Sequence, residues 1–368
     1  MVLLKTTCLQ FSNKCVKASL HFLFEKLTNI HNEVTQLKTK GMNNLKKKIL
    51  VIHTGGTISM QEDEQTGSVS PGAANPLVTN PIVTDSNTII EDCELFHLPS
   101  PHITPGHMFK LAQFIDLQVQ DNSYDGVVIT HGTDTLEETA FFLDLTTEVN
   151  VPIVLTGAMR SSNELGSDGP YNLLSSIKVA SSESAVGKGV LVVLNDEVHT
   201  AKNVTKTHTS NIATFQSPQY GPIGLVTKRG VSFHHMPVQQ DKYKITEVNK
   251  NVMLLKAYSG MDSSIFIALK SMKVDGLVIE ALGQGNVPPS TVDGIKSLIA
   301  DNIPVVLVSR CFNGIVQDIY GYEGGGRRLK EIGVIFSNGL NGQKARIKLL
   351  VALEKTNDLE KLQALFLK

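Results

Sequence analysis

No tryptophan occurs in this 368-residue chain, and cysteine is confined to four scattered positions, Cys8, Cys15, Cys93 and Cys311. Their spacings match neither a metal-ligand set nor a redox pair, so reduced, partly buried thiols in a reducing compartment are expected. Long apolar runs are missing as well: none approaches the roughly 20 residues that a membrane span needs. The formal net charge is −1, which gives no reason to expect nucleic acid or an anionic membrane as a partner. Nucleotide fingerprints are absent too, since neither G-x-G-x-x-G nor G-x-x-x-x-G-K-[ST] is found. “YEGGGRRL” (322–329) follows no apolar strand and reads as a mobile surface turn. Near the start, “SLHFLFEKL” is too short and too late for a secretory leader, and no small-residue cleavage site follows it. Met42 leads almost directly into the first strong strand, so Met42 is expected as the natural start and residues 1–45 as an extension outside the fold.

What the chain does contain is a set of short segments that are apolar throughout. They are “ILVIH” (49–53), “GVVIT” (126–130), “PIVLTG” (152–157), “GVLVVLND” (189–196), “VMLLKA” (252–257), “GLVIEAL” (276–282) and “PVVLVS” (304–309). Continuous rather than alternating hydrophobicity suits parallel strands covered on both faces. Helical periods lie between them at 107–120, 135–149, 168–182, 261–272, 290–301 and 341–356, with Asp168 placed to cap the third and Ser290 or Thr291 the fifth. Strand–helix alternation predicts an α/β fold: a larger N-terminal domain with a parallel-rich sheet over 46–230 and a smaller C-terminal α/β domain over 251–368. The polar stretch 231–250 is expected to link them. Right-handed crossovers would bring the loops after the strands to one edge, where ligands bind.

Three of those loops carry chemistry. “IHTGGT” ends a strand with two glycines between Thr54 and Thr57, so either hydroxyl could act as a nucleophile beside exposed amides; a plain turn explains the motif equally well. “HGTDT” (131–135) follows a second strand and sets Thr133 beside Asp134, a pairing suited to positioning a water or an amine. Helix capping by Asp134 or Thr135 is the alternative, and the two roles are compatible. His131 could be a general base, but a packed, hydrogen-bonded histidine is favoured. Lys206 lies among Thr205, Thr207 and Thr209; it is either solvated surface or, near Asp134, a proton shuttle.

These segments together resemble the bacterial-type L-asparaginases. The likeness rests on “TGGTI” (54–58), “DGVVITHGTDTLEETAFFLDL” (125–145), “TGAMR” (156–160), “SDGPYNL” (167–173), “GVLVVLNDEV” (189–198), “NVTKTHTSNIATF” (203–215) and “GQGN” (283–286), and runs from about 47 to the end. It implies hydrolysis of L-asparagine to L-aspartate and ammonia, with no cofactor and no metal. Thr57 matches the catalytic threonine that forms a β-aspartyl ester. Thr133, Asp134 and Lys206 match the group that activates a nucleophile or the deacylating water. Ser100 matches a serine that binds the substrate α-carboxylate, and Asp134 would also hold the α-ammonium. Asn286 matches an asparagine reaching in from a neighbouring subunit, because the family forms homotetramers of dimers with sites at the subunit interface.

The chain departs from that pattern at three places. The secreted members carry a tyrosine about a dozen residues after the first threonine, whereas “MQEDEQTGSVSPG” (60–72) has none. The glutamate that supports this tyrosine across the interface aligns with Tyr320, so the Tyr320 phenol of a neighbour is one candidate proton acceptor and simple packing the other. The glutamine after the substrate serine is Pro101, which bears on asparagine-over-glutamine preference. The secreted members' disulfide positions are not occupied by Cys93 or Cys311, and with no leader this points to the cytoplasm. Competing readings are a glutaminase-asparaginase of mixed specificity, an amidotransferase subunit (for which residues 1–46 are too short to supply the extra domain), and a non-catalytic amino-acid-binding module.

Overall fold

The computed structural model describes residues 46–71, 77, 87–238, 242–337 and 339–366, so the expectations for Met42 and residues 1–45 lie outside them. In chain order the strands are β1 (Lys47–His53), β2 (Met60–Glu62), β3 (Val69–Pro71), β4 (Thr88–Glu94), β5 (Gly126–Thr130), β6 (Ile153–Thr156), β7 (Val190–Leu194) and β8 (Glu197–Thr200). They continue as β9 (Thr205–Lys206), β10 (Phe215–Gln216), β11 (Gly224–Thr227), β12 (Gly230–Phe233), β13 (Val252–Lys256), β14 (Gly276–Ala281), β15 (Val305–Ser309) and β16 (Ile335–Phe336). The helices are α1 (Pro105–Asn122), α2 (Leu136–Thr146), α3 (Gly169–Ala180), α4 (Ser264–Ser271), α5 (Val292–Ala300), α6 (Gly326–Glu331), α7 (Gly342–Leu353) and α8 (Leu359–Phe366).

Two α/β domains result. The larger sheet has the order β12-β11-β8-β7-β6-β5-β1-β4, and the smaller runs β13-β14-β15-β16. Pairing is parallel from β1 through β5 and β6 to β7, and throughout the small sheet. Beyond β7 the pairing turns antiparallel, through β8 and β11 to β12. The continuous apolar runs are the parallel strands, and the reason is visible in β1. Leu50 and Ile52 face a core shared with α1 and α2, while Ile49 and Val51 face a second core built on α3. Both faces need apolar side chains. The segment after β11 opens with β12, an edge strand whose alternating exposure escapes a search for continuous runs.

One apolar cluster extends from the large sheet across α2 and α7 to Val278 and Val306 of the small sheet. A separate core fills the other face of the small sheet, around Phe266, Ile295 and Leu307. No helix among the described residues is long and apolar enough to cross a membrane.

Three local expectations are corrected. Asp168 stands at the N-cap position of α3 but makes no capping bond. Its carboxylate instead accepts from the Met159 and Arg160 amides at 3.1 and 3.0 Å, pulling the loop after β6 onto α3. Likewise Thr291 and Ser290 turn to the carbonyls of Pro288 and Met261, and the Ser263 hydroxyl accepts from Gly294 in their place. The 322–329 segment is no mobile surface turn. Gly324, Gly325 and Gly326 are buried, and a Cβ on each would lie within 2.4 Å of the carbonyls of Val287, Tyr320 and Gln317 respectively. The glycines are there for close backbone packing at the start of α6.

Candidate active site

Strands β1 and β5 are parallel neighbours that end level, with His53 opposite Thr130. The chain therefore leaves both at the same edge, and the two threonine loops start side by side. Glycines bring them into contact: a Cβ on Gly56 (φ 85°) would lie 2.2 Å from the Gly132 Cα. A Cβ on Gly55 would lie 2.4 Å from the Leu98 carbonyl oxygen, and one on Gly132 2.6 Å from the Ser100 Cβ. Three loops, after β1, β4 and β5, thus interlock at backbone contact. Thr57 and Thr133 each directly follow one of the two touching glycines.

The two hydroxyls of the first loop part company here. Thr54 is buried and donates to the Thr130 carbonyl at 2.8 Å, so its oxygen is engaged in the fold. Thr57 opens a single 3-10 turn (Thr57–Ser59) and is half-buried, and its hydroxyl makes no hydrogen bond to another described residue.

In the second loop the Lys206 ammonium donates to Thr133 Oγ1 at 2.9 Å and to Asp134 Oδ1 at 2.7 Å. Thr133 is buried, and the Lys206 side chain is 16% exposed against 59% for Asp134. The ammonium is thus drawn into the protein while the carboxylate stays within reach of a ligand. Capping is not what these residues do. Asp134 is turned to Lys206, Thr135 donates to the Ser100 carbonyl at 2.8 Å, and α2 has no side-chain cap. Ser100 is buried, with its oxygen accepting from the Asp134 amide at 3.2 Å.

His131 is fully buried, its Nδ1 2.8 Å from the Gly132 carbonyl and its Nε2 2.9 Å from the Thr139 hydroxyl. The carbonyl can only accept, so Nδ1 carries the proton and Nε2 accepts from Thr139. Burial drives its pKa down to about 4. It is a neutral packing residue, as the residue-level reading favoured.

Asn286 and Tyr320 belong to a different group. The Asn286 side-chain oxygen accepts from the Gly326 amide at 3.3 Å, and the Tyr320 carbonyl accepts from the Arg327 amide at 3.0 Å, both at the start of α6. The Tyr320 ring is exposed and lies 5.5 Å from that of Tyr322. Among the described residues, no hydrogen bond or ion pair joins this group to Thr57, Ser100, Thr133, Asp134 or Lys206. One residue that motif reading passes over is Glu137, whose Oε1 accepts from the Thr205 hydroxyl and the Lys206 amide at 3.0 and 3.2 Å. Its only sequence signal is an acidic residue in the first turn of α2, where acids are common.

Among the described residues, no group of three or more His, Cys, Asp or Glu side chains could hold a metal ion. Cys93 and Cys311 are free thiols.

The family model “Asparaginase, N-terminal” matches residues 48–239, and “Glutaminase/Asparaginase C-terminal domain” matches 251–366. The chain is 38% identical over 323 residues to a probable L-asparaginase of Deinococcus radiodurans, covering 87% of this chain and 97% of that one. It is 31% identical over 341 residues to a glutaminase-asparaginase of Acinetobacter glutaminasificans, covering 87% and 99%. Among solved structures, a probable cytoplasmic L-asparaginase from Campylobacter jejuni superposes with a TM-score of 0.78 at 32% identity, over 88% of this chain and all of that one.

Proposed function

The chain belongs to the asparaginase family, and from that premise we propose that it hydrolyses L-asparagine to L-aspartate and ammonia. The observation that carries the reading is the Lys206 ammonium, bonded at once to Thr133 and Asp134. The loop of Thr57 packs directly against that group. In this reading the Thr57 oxygen attacks the side-chain amide carbon, the C–N bond breaks, and ammonia leaves with a proton from the site. Water then cleaves the β-aspartyl ester and regenerates the hydroxyl. Thr133, Asp134 and Lys206 move the protons, a contribution typically worth about 10²–10⁴-fold in rate. Ser100 and Asp134 hold the substrate's α-carboxylate and α-ammonium.

The proposal extends to a second chain. Asn286 and the Tyr320 phenol lie outside the Thr57 group, so each would complete the site of a neighbouring subunit in a dimer or tetramer. Tyr320 would then supply the proton acceptor that the 60–72 loop lacks. The cytoplasm is the proposed location. Domain limits of 46–230 and 251–368, with 1–45 outside the fold, belong to the same reading.

Mixed glutaminase-asparaginase activity is the second reading, since Pro101 stands where the resemblance implies an amide side chain and so bears on the asparagine-over-glutamine preference in either direction. Ammonia release from asparagine and glutamine, measured side by side, decides between them. Release from asparagine alone supports the first reading, comparable release from both supports the second, and release from neither defeats both.

A further inference from the structure

Lys206 is placed with precision by a segment that has little to hold it. Strand β9 is two residues long and pairs only with the equally short β10, and residues 207–211 beyond it are exposed. Such a hairpin does not fix a long side chain by packing. The hold comes from Glu137, which is 4% exposed and stands three residues after Asp134 on the same loop-to-helix segment. Its Oε1 takes the Thr205 hydroxyl and the Lys206 amide, as above. Its Oε2 accepts from Asn341 Nδ2 at 2.9 Å and lies 3.6 Å from the ammonium of Lys344.

Asn341 and Lys344 open α7, in the C-terminal domain. Asn341 also caps that helix by accepting from the Lys344 amide, so cap and contact share one side chain. Lys344 is 1% exposed and donates to the carbonyls of Lys202 and Val204, which fixes the backbone just before β9. Burial lowers its pKa to about 8, with Glu137 as the largest influence opposing the shift.

We infer that the Glu137–Asn341–Lys344 cluster is the positioning device of the active site, through which the C-terminal domain sets the distance between Lys206 and the Thr133–Asp134 pair. One carboxylate grips the β9 segment, and its residue sits in the first turn of α2, directly after the loop that carries Thr133 and Asp134. A buried carboxylate with an amide donor and an ammonium on its second oxygen cannot swing away without leaving charge unpaired. The cluster touches no reacting atom and acts only through Lys206. The inference rests on the asparaginase reading for its kinetic readout, but its geometric readout does not.

The test compares full-length wild type with Glu137→Gln and with Asn341→Ser, which keeps a capping oxygen but loses the donor to Glu137. Steady-state kinetics on L-asparagine are paired with acylation labelling of the Lys206 amine, read by mass spectrometry, and with thermal unfolding. Glu137→Gln is expected to lower kcat about 10²-fold, the scale of a small misplacement, while KM stays within about threefold. Labelling of Lys206 is expected to rise at least about fivefold as its contacts loosen. Asn341→Ser should show the same pattern at smaller amplitude, and it decides alone if Glu137→Gln does not fold. Unchanged Lys206 labelling in a folded variant overturns the inference whether or not the wild type hydrolyses asparagine. So does a retained kcat when the wild type is active. A wild type that releases no ammonia, with labelling raised in the variants, overturns the enzymatic reading and leaves the positioning inference supported.

Discussion

The two groups of candidate residues are built in opposite ways. Around Thr57, Thr133 and Lys206, glycine-to-glycine contacts, buried hydroxyls and an ion pair are satisfied within one chain. Around Tyr320, the chain neighbours Ile319 and Tyr322 are both 55% exposed. A backbone as tightly packed as that at Gly324–Gly326 is costly to assemble merely to display tyrosines to water. The contrast teaches that the first group is held in place by contacts within its own chain. The second sets the exposed Ile319, Tyr320 and Tyr322 side chains on a closely packed backbone.

The largest expected effect comes from Thr57→Ala. If the first group is the reaction centre, ammonia release should fall by about 10⁴-fold or more. Because the Thr57 hydroxyl holds nothing in the fold, the unfolding free energy from urea titration should change by about 0.5 kcal/mol or less. Loss of stability in step with loss of activity would count against the assignment.

Acid should destabilise the domain that carries the first group. His131 has a folded pKa of about 4 against an ordinary 6.5, and burial holds His199 down to about 4 in the same way. Between those values the unfolded chain binds more protons, so stability falls as pH drops from 6.5 to 4. The expected loss is roughly 3 kcal/mol for His131. Urea titrations at pH 7 and pH 4.5 measure it, and His131→Gln should remove about half of the combined histidine slope.

Tyr320→Phe probes the second group. As a relay to a neighbouring site it should cost about 10²-fold in kcat with KM nearly constant. Near-wild-type turnover would leave the phenol a packing or surface residue and reassign the proton acceptor to Lys206 through Thr133. A mixed oligomer of Thr57→Ala and Tyr320→Phe chains sharpens the result, since only complementation across an interface restores activity to some sites.

The smallest effects separate the loops themselves. Gly56→Ala places a Cβ against Gly132 at 2.2 Å, whereas one on Gly283 (φ 51°) meets nothing within 4 Å. The first should cost roughly 1–3 kcal/mol and disturb turnover, the second about 1 kcal/mol of left-handed strain and no more. Thermal unfolding of both variants reports the difference, and equal shifts would deny that the loops interlock.

Much of this was legible in the chain alone. Uninterrupted apolar runs such as “ILVIH” and “GVVIT” dictate strands buried on both faces, because only two-sided cover makes every position apolar. The motifs “TGGT” and “HGTDT” set hydroxyls and a carboxylate at two strand ends, where ligands bind in such folds, although a turn or a helix cap would use the same residues. The antiparallel strands β8, β11 and β12 were not legible: each is four residues long, β8 is covered but mostly polar, and β11 and β12 alternate in exposure.

Three decisions belonged to the tertiary structure. Which of the Thr54 and Thr57 hydroxyls is engaged in the fold depends on the one that meets the Thr130 carbonyl. Asp134 and Thr135 suit a helix cap by type, and only the arrival of Lys206 and Ser100 turns them to other work. The link between Glu137 and Asn341 spans 204 residues of chain and leaves no local pattern. Periodicity and propensity act over a few residues, so they determine elements and the loops between them. Through-space contacts form only when the sheets are stacked, so they determine which of those loop residues face one another.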